Sequence, residues 1–471
     1  MVTLTLFDPL TIQIQTEDMD YYDTMRDEFT RFVKGFRFVP AYRSGVWSGK
    51  VCMIHEFRRT FPYGILLDYM RTHHKNFPRI SLKLDPLVSE LFRGSKLKPI
   101  YNLKFKPRPY QKDCIEASLK HTKGIIRSAT ASGKSLVIAY IIKTLLENGQ
   151  INKGIIIVPS KSLIRQFHGD LVDYGFKDEV IGEVFSEKKQ WDRDIVISTW
   201  QSLTRASNNL KSFECVIVDE THGAKAHELK NLLSKSPAKY RLGFTGTMPN
   251  NSLDAWNTKA YLGPVIREYP SGFLAEQGYI SKCTVNMMHI DYKTEFDGVY
   301  HEVRDSVFQN PYRLKLIYQL VDKLDHNVLL LVDKVKKEGE LLEKYLKERT
   351  DKTVVFLSGK DSVNEREKWR KECMKKDNIL LIATYGIFQQ GINIPNLKYI
   401  VLAAPFKAKI RILQSIGRAL RVFANKITGA KIFDICDNTK FFGKYSDIRM
   451  RYYTSEGFEV KDFNYTENLT S

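Results

Sequence analysis

The sequence predicts an α/β fold: two tandem units, each a parallel sheet with helices on both faces, behind a small N-terminal α+β segment. Three observations predict it. Short, wholly apolar, β-branched runs alternate with longer helical patterns, and the series occurs twice. A strand-to-helix junction of small residues ends in Gly133-Lys134-Ser135. The chain has 471 residues, 43% apolar and 27% charged, ample for several cores and too apolar for a disordered chain.

In chain order, the strand candidates of the first unit are Gly124–Arg127, Gly154–Val158, Asp194–Ser198, Cys215–Val218 and Arg241–Phe244, with helical stretches at Lys134–Glu147 and Lys161–Tyr174. Glycine and proline interrupt the series between Gly263 and Gly278. It resumes with strand candidates Val328–Val332, Thr353–Leu357, Asn378–Ala383, Tyr399–Leu402 and Lys431–Ile435, and helical patterns at Lys334–Arg349 and Ser362–Lys376. Ahead of all this, Lys96 to Pro109 holds Pro99, Pro107 and Pro109 among lysines and reads as a linker. The predicted division is 1–98, 99–270, 271–440 and 441–471. The first part is expected to be separable, and the aromatic-rich last part to dock on the unit before it.

Lys plus Arg number 73 against 54 Asp plus Glu, a net charge of +19. That excess points to a polyanionic partner, nucleic acid above all. Between Arg31 and Arg59 seven basic residues meet one acid, Glu56, with aromatics interleaved. Two readings stand: Arg37, Arg43, Trp47 and Lys50 contact duplex DNA, or they form a solvated face on a small β-rich core. His73 and His74 are read as surface residues rather than metal ligands. No apolar run approaches membrane-spanning length, and Met1 to Leu10 lacks the pattern of a secretion signal. The six cysteines are scattered with no C-x-x-C pair, which argues against disulfides and zinc and for a cytoplasmic protein. A monomer is expected.

The sharpest local signal is Ser128-Ala129-Thr130-Ala131-Ser132-Gly133-Lys134-Ser135 between a strand and a helix. Small residues at Thr130, Ala131, Ser132 and Gly133 let backbone N–H groups close around phosphate oxygens, at the positive end of the helix that comes next. Lys134 would reach the terminal phosphates and Ser135 would hold Mg²⁺. Ser128 stands where a first Gly or Ala is usual. Some 85 residues on, an apolar strand ends in Asp219-Glu220-Thr221-His222. Asp219 is placed to bind Mg²⁺, Glu220 to polarise an attacking water, and His222 to sense the phosphate state.

Joined by further motifs along the chain, these two resemble superfamily 2 helicases of the D-E-x-H kind, over about Lys106 to Asp434. Arg108-Pro109-Tyr110-Gln111 resembles their adenine-reading Q motif. Pro159, Ser160 and Gln166 fall where motif Ia contacts the DNA backbone, and Thr199, Gln201 and Ser202 where motif Ib binds phosphates. Thr245-Gly246-Thr247 resembles motif III. Thr384 with Gln389-Gln390-Gly391 resembles motif V, and Gln414-Ser415-Ile416-Gly417-Arg418-Ala419-Leu420-Arg421 resembles motif VI. The resemblance implies two RecA-like domains, ATP and Mg²⁺, with Gly391 and Gln414 at the nucleotide and Arg418 and Arg421 as arginine fingers.

A narrower resemblance is to the UvsW-type branch-migrating helicases of tailed bacteriophages. It rests on Gly35–Pro40, Arg43–Lys50, Phe61–Gly64, Phe273–Ile280 and Phe463–Tyr465. It implies ATP-driven remodelling of branched DNA (forks, displacement loops, four-way junctions) in replication, recombination and repair. A single strand would lie in the motor and duplex at the N-terminal segment, in the host cytoplasm. An RNA helicase, a duplex translocase that separates no strands, and a non-catalytic DNA-binding scaffold are the rival readings.

Overall fold

A computed structural model describes the chain apart from residues 9, 91–93, 222–231, 234–235, 250–251, 293–297, 391–396, 405–428 and 467–471. The described chain divides into two units. One comprises Met1–Ser128 with Gly133–Glu268, the other Ala129–Ser132 with Tyr269–Ser471.

The first unit opens with strands β1 (Val2–Asp8) and β2 (Thr11–Gln15), then α1 (Met19–Glu28), β3 (Thr30–Phe32), α2 (Pro40–Arg43) and β4 (Lys50–Cys52). β5 (Thr60–Pro62), α3 (Leu66–Asn76), β6 (Leu82–Leu84) and α4 (Pro86–Glu90) complete this N-terminal part. Four strands form a mixed sheet in the order β5-β2-β1-β6, and β3 pairs with β4 in a separate antiparallel ribbon. Period-two alternation sets the sheet's inner face: Val2, Leu4, Ile12 and Ile14 point inward and are buried. Asp18 starts α1 by accepting the Tyr21 N–H at 2.9 Å.

His73 is a correction to the sequence reading. It is buried on the inner face of α3, its Nδ1 2.9 Å from the Tyr21 hydroxyl and its Nε2 3.0 Å from the Ile80 carbonyl. Tyr21 and Tyr69 stand on the same core, so the ring is a hydrogen-bonded core member. Burial lowers its pKa.

The same unit continues with α5 (Pro109–His121), β7 (Lys123–Ser128), α6 (Lys134–Glu147), β8 (Gly154–Val158), α7 (Lys161–Tyr174), β9 (Ile181–Val184) and β10 (Ile195–Thr199). Then come α8 (Trp200–Arg205), β11 (Cys215–Asp219), β12 (Tyr240–Thr245), α9 (Ser252–Leu262) and β13 (Val265–Tyr269). The seven strands lie in the order β13-β7-β12-β11-β8-β10-β9, with parallel pairings from β7 to β9. β8 and β10 are buried along their whole length, as strands covered on both faces must be. β13 lies at the sheet edge inside the stretch that reads as an interruption. Its Arg267 and Glu268 break the apolar run, so the edge strand carries no all-apolar signature.

The N-terminal part is not self-contained. Trp256 of α9 sits in its core, 9% exposed, stacked on Phe29 with ring centroids 4.9 Å apart. The Arg31 guanidinium lies 4.9 Å from the Trp256 ring, and Lys259 pairs with Asp68 at 2.9 Å. Gly64 makes this approach possible: a Cβ there would overlap the Lys259 carbonyl oxygen.

The second unit holds α10 (Ser271–Glu276), β14 (Cys283–Asp291), α11 (Tyr300–Gln309), α12 (Pro311–Asp322), β15 (Val328–Val332), α13 (Leu341–Lys347), β16 (Thr353–Leu357) and α14 (Val363–Lys375). It ends with β17 (Ile379–Thr384), α15 (Tyr385–Gln390), β18 (Tyr399–Leu402), β19 (Ala430–Asp437), α16 (Gly443–Ser455) and β20 (Glu459–Thr466). Its sheet is parallel throughout, in the order β16-β17-β15-β18-β19-β14-β20. The tail supplies the edge strand, in register from Thr284 opposite Glu459 to Asp291 opposite Thr466. Arg449 and Tyr453 of α16 both reach the buried Asp434 carboxylate at 2.7 Å.

The single helix predicted over Lys334–Arg349 begins instead as a π-helical turn, Val335–Glu340. Glu338 turns inward there to Arg304 Nε at 2.8 Å and accepts the Asp333 and Lys334 N–H groups, and Gly339 lies against the Phe356 ring. Anchoring one acid in the core widens the turn.

Candidate nucleotide site and nucleic-acid surfaces

Within the first unit, α5, the start of α6 and the end of β11 bring Gln111, Gly133, Lys134, Asp219 and Glu220 together. Gln111 Oε1 accepts the Arg108 N–H at 2.8 Å, which fixes the amide, and Nε2 donates to the Gly133 carbonyl at 3.4 Å. Gly133 has φ +74°, and a Cβ there would press on Gln111 Nε2 at 2.7 Å. Both demands select glycine. Tyr110 is buried rather than open, and Arg108 is exposed. Thr130, Ala131 and Ser132 fall in the segment grouped with the second unit. There Ala131 takes φ +68°, and the Ala129 N–H donates to the Tyr269 carbonyl at 3.1 Å.

Lys134 Nζ lies 3.4 Å from the Ser128 carbonyl and 3.7 Å from Glu220 Oε1. Glu220 has φ +51°, a left-handed backbone that costs a non-glycine residue about 1–3 kcal/mol and concentrates at functional sites. Burial, reinforced by the neighbouring Glu220 carboxylate and opposed by Lys134, pushes Asp219 up to about 7. Asp219 Oδ1, Ser128 Oγ and Thr247 Oγ1 are buried polar atoms with no hydrogen-bond partner. Such atoms at one strand-end locus are unusual in a folded interior and suit a polar ligand. A hydroxyl from Ser135 and a carboxylate from Asp219 are hard oxygen donors that fit Mg²⁺, which keeps most of its waters and takes few protein ligands. Among the described residues no group of three or more His, Cys, Asp or Glu is placed to bind a metal on its own.

Two residues passed over in the sequence stand on α7. Tyr174 places its hydroxyl 2.8 Å from Ser135 Oγ, and Asp170, one turn earlier, acts electrostatically on Asp219. Their i, i+4 spacing is the one signal that marks them as a pair on one helix face.

The candidate nucleic-acid residues of this unit lie at strand ends and helix starts. Ser160 caps α7 by accepting the Leu163 N–H, and its hydroxyl lies 2.9 Å from that of Ser162. Pro159 is half-buried and Gln166 exposed. Thr199 caps α8, with its hydroxyl 3.0 Å from that of Ser202, and Gln201 is exposed beside them. Arg37 and Arg43, between β3 and β4, and Lys50, at the start of β4, are exposed, while Trp47 is half-buried and donates its Nε1–H to the Lys50 carbonyl at 3.0 Å. In the second unit Thr384 ends β17, nearly buried. His222, Gly391, Gln414, Arg418 and Arg421 lie outside the described residues, as does the side chain of Gln389.

Three families match in order along the chain: "DNA helicase UvsW, N-terminal" at residues 2–80, "Type III restriction enzyme, res subunit" at 104–250 and "Helicase conserved C-terminal domain" at 312–423. The ATP-dependent DNA helicase uvsW of Enterobacteria phage T4 is 28% identical over 468 residues, spanning 94% of this chain and 91% of the relative. The DNA 3'-5' translocase XPB2 of Sulfurisphaera tokodaii is 24% identical over 434 residues, 83% of this chain and 93% of that one. Among solved structures, that of T4 UvsW superposes with a TM-score of 0.50 at 25% identity, covering 98% and 99% of the two chains.

The three families matched in order, together with the tandem parallel sheets, make the chain a superfamily 2 helicase, with two RecA-like domains and a small mixed-sheet domain ahead of them. The N-terminal match and the end-to-end likeness then place it with the UvsW type, as a homologue of an ATP-dependent DNA helicase.

Proposed function

We propose that this enzyme hydrolyses ATP to translocate on DNA and to unwind and branch-migrate forks, displacement loops and Holliday junctions in replication, recombination and repair. The observation that carries the reading is the first unit's site. Gln111, Gly133, Lys134, Ser135, Asp219 and Glu220 converge there, with buried polar atoms left to a ligand.

Gln111 presents its amide for the adenine edge, beside Arg108 and Tyr110, and the N–H groups of Thr130 to Gly133 cradle the phosphates. Lys134 moves from Glu220 to the terminal phosphate oxygens. Freed of that cation, Glu220 orients the attacking water and draws its proton, while His222 reports the phosphate state. Ser135 and Asp219 would hold Mg²⁺, which would neutralise phosphate charge there. Gly391 and Gln414 attend the nucleotide, and Arg418 and Arg421 supply further positive charge to the γ-phosphate.

A single strand runs over Pro159, Ser160, Gln166, Thr199, Gln201, Ser202, Thr384 and Gln389. Duplex lies on Arg37, Arg43, Trp47 and Lys50. The chain works as a monomer in the host cytoplasm, and its functional division is 1–98, 99–270, 271–440 and 441–471.

The test compares ATPase stimulation by forked DNA, linear duplex, single strand and RNA. Forked DNA should stimulate most. Equal stimulation by RNA favours an RNA helicase, equal stimulation by linear duplex favours a simple translocase, and no hydrolysis with any of them leaves only a scaffold. Replacing Arg37, Arg43 and Lys50 together with Ala should flatten the salt dependence of fork binding, because each lost phosphate contact removes about 0.9 from the slope of log K against log salt. An unchanged slope makes that face a solvated surface.

A further inference from the structure

The metal-binding hydroxyl of the proposed nucleotide site already has a partner outside the helicase motifs. Ser135 Oγ stands 2.8 Å from the Tyr174 hydroxyl, on the last residue of α7. Tyr174 is held in place independently of Ser135. Its ring meets the Phe105 ring edge-on with centroids 5.8 Å apart, and its carbonyl accepts the Lys104 N–H at 3.1 Å. Gly175 ends the helix just behind it with φ +109° and donates its N–H to the Val172 carbonyl at 3.0 Å, while the Phe176 N–H donates to that of Leu171 at 3.1 Å. The phenol is therefore a fixed post rather than a swinging arm.

We propose that Tyr174 is a positioning residue for Mg²⁺: its phenol oxygen accepts the Ser135 hydroxyl proton and so turns the Ser135 lone pairs toward the ion. A serine hydroxyl has one proton and two lone pairs. When the proton points at the metal the oxygen cannot ligate, and three rotamers are otherwise open to it. Asp219 Oδ1 has no hydrogen-bond partner, so that oxygen does not take the Ser135 proton. Phe105, Lys104 and Gly175 fix the acceptor, and the acceptor fixes the hydroxyl. The inference rests on the reading of Ser135 as a metal-binding residue.

The test is Tyr174→Phe, which keeps the ring against Phe105 and removes only the oxygen. The full-length protein is titrated with a fluorescent ADP analogue at fixed excess of EDTA and then at rising free Mg²⁺. The parent should bind the analogue more tightly as Mg²⁺ rises. Tyr174→Phe should match the parent in EDTA and need about three- to tenfold more free Mg²⁺ for half its gain, the range of one net hydrogen bond. Ser135→Ala should lose the Mg²⁺ gain, and adding Tyr174→Phe to it should change nothing further. An unchanged or lowered Mg²⁺ requirement in Tyr174→Phe overturns the positioning role, as does a weaker affinity already present in EDTA. A parent whose nucleotide binding ignores Mg²⁺, or a Ser135→Ala that behaves like the parent, overturns the metal reading of Ser135 and this inference with it.

Discussion

Trp256→Ala should loosen the N-terminal domain from a position 176 residues beyond it (256 against the last matched residue, 80). The indole is 9% exposed and belongs to the same core as Phe29, Tyr69, Val2 and Ile14. Removing it strips the stacked partner from Phe29 and the ring beneath Arg31. Truncating a buried Trp costs about 3–5 kcal/mol, and loss of the cation–π contact adds about 0.5–1 kcal/mol where the cation is part-exposed. The sum is a large fraction of the stability of a domain this small. The readout is native-state hydrogen exchange of the amides in β1, β2 and α1, which should accelerate by at least about a hundredfold if about 3 kcal/mol of local stability is lost. Trp256→Phe should recover part of the protection, and amides in β8 and β10 should change little. Exchange in β1 and β2 within about fivefold of the parent would show that the domain holds itself together and that α9 only rests against it.

Glu220→Gln should still bind ATP and hydrolyse it at least about a hundredfold more slowly, as loss of a general base does, measured by phosphate release; unchanged turnover refutes its role. Lys134→Ala should abolish DNA-stimulated hydrolysis while fork binding, read by fluorescence anisotropy, persists. Lys123, beside the Tyr63 ring, has its pKa lowered from 10.5 to about 8, chiefly by burial and then by Arg241. The unfolded chain therefore binds more protons between those two values, so unfolding free energy should rise with pH from about 8 towards the ordinary lysine range. Lys123→Met should abolish that slope in urea titrations and raise stability at pH 7; a parent with no slope there refutes the buried-charge account.

The fold was legible where strands are covered on both faces. β8, β10, β15 and β17 read as apolar runs because both faces are covered, and the polar residues they carry, Ser198, Thr199 and Thr384, are hydroxyls at strand ends. It was illegible at edges and caps. β13 carries Arg267 and Glu268, and β20 shows solvent a mixed strand, Glu459 to Thr466, whose pairing with β14 depends on a neighbour 175 residues earlier in the chain (459 against 284). The candidate site divides the same way. Gly133, Lys134, Ser135, Asp219 and Glu220 form contiguous motifs because phosphate chemistry fixes their spacing on one loop and one strand end. Tyr174 and Asp170 reach the site from a helix whose visible pattern is its core face, Ile164, Phe167 and Leu171. Their approach depends on how α7 packs, which no local pattern encodes.

His73 and Trp256 extend the point to domain boundaries. A histidine in a polar-looking run, His73-His74-Lys75, is core because α3 turns that one position inward to Tyr21. A tryptophan some 150 residues past the prolines of the linker completes the core of the segment before them, and Lys259 and Gly64 lock the same contact. Composition marks where a chain changes texture, whereas a folding boundary lies where few contacts cross. Here contacts cross in number. The ribbon that bears Lys50 and frames the segment of Arg37 and Arg43 is thereby fastened through Phe29, Arg31 and Trp256 to α9, the helix that comes after Thr245-Gly246-Thr247 at the end of β12. Cutting the chain near residue 98 would uncover Trp256 and confound loss of DNA contact with loss of packing. The charge substitutions on the ribbon leave that seam intact, so they separate the two effects and a truncation does not.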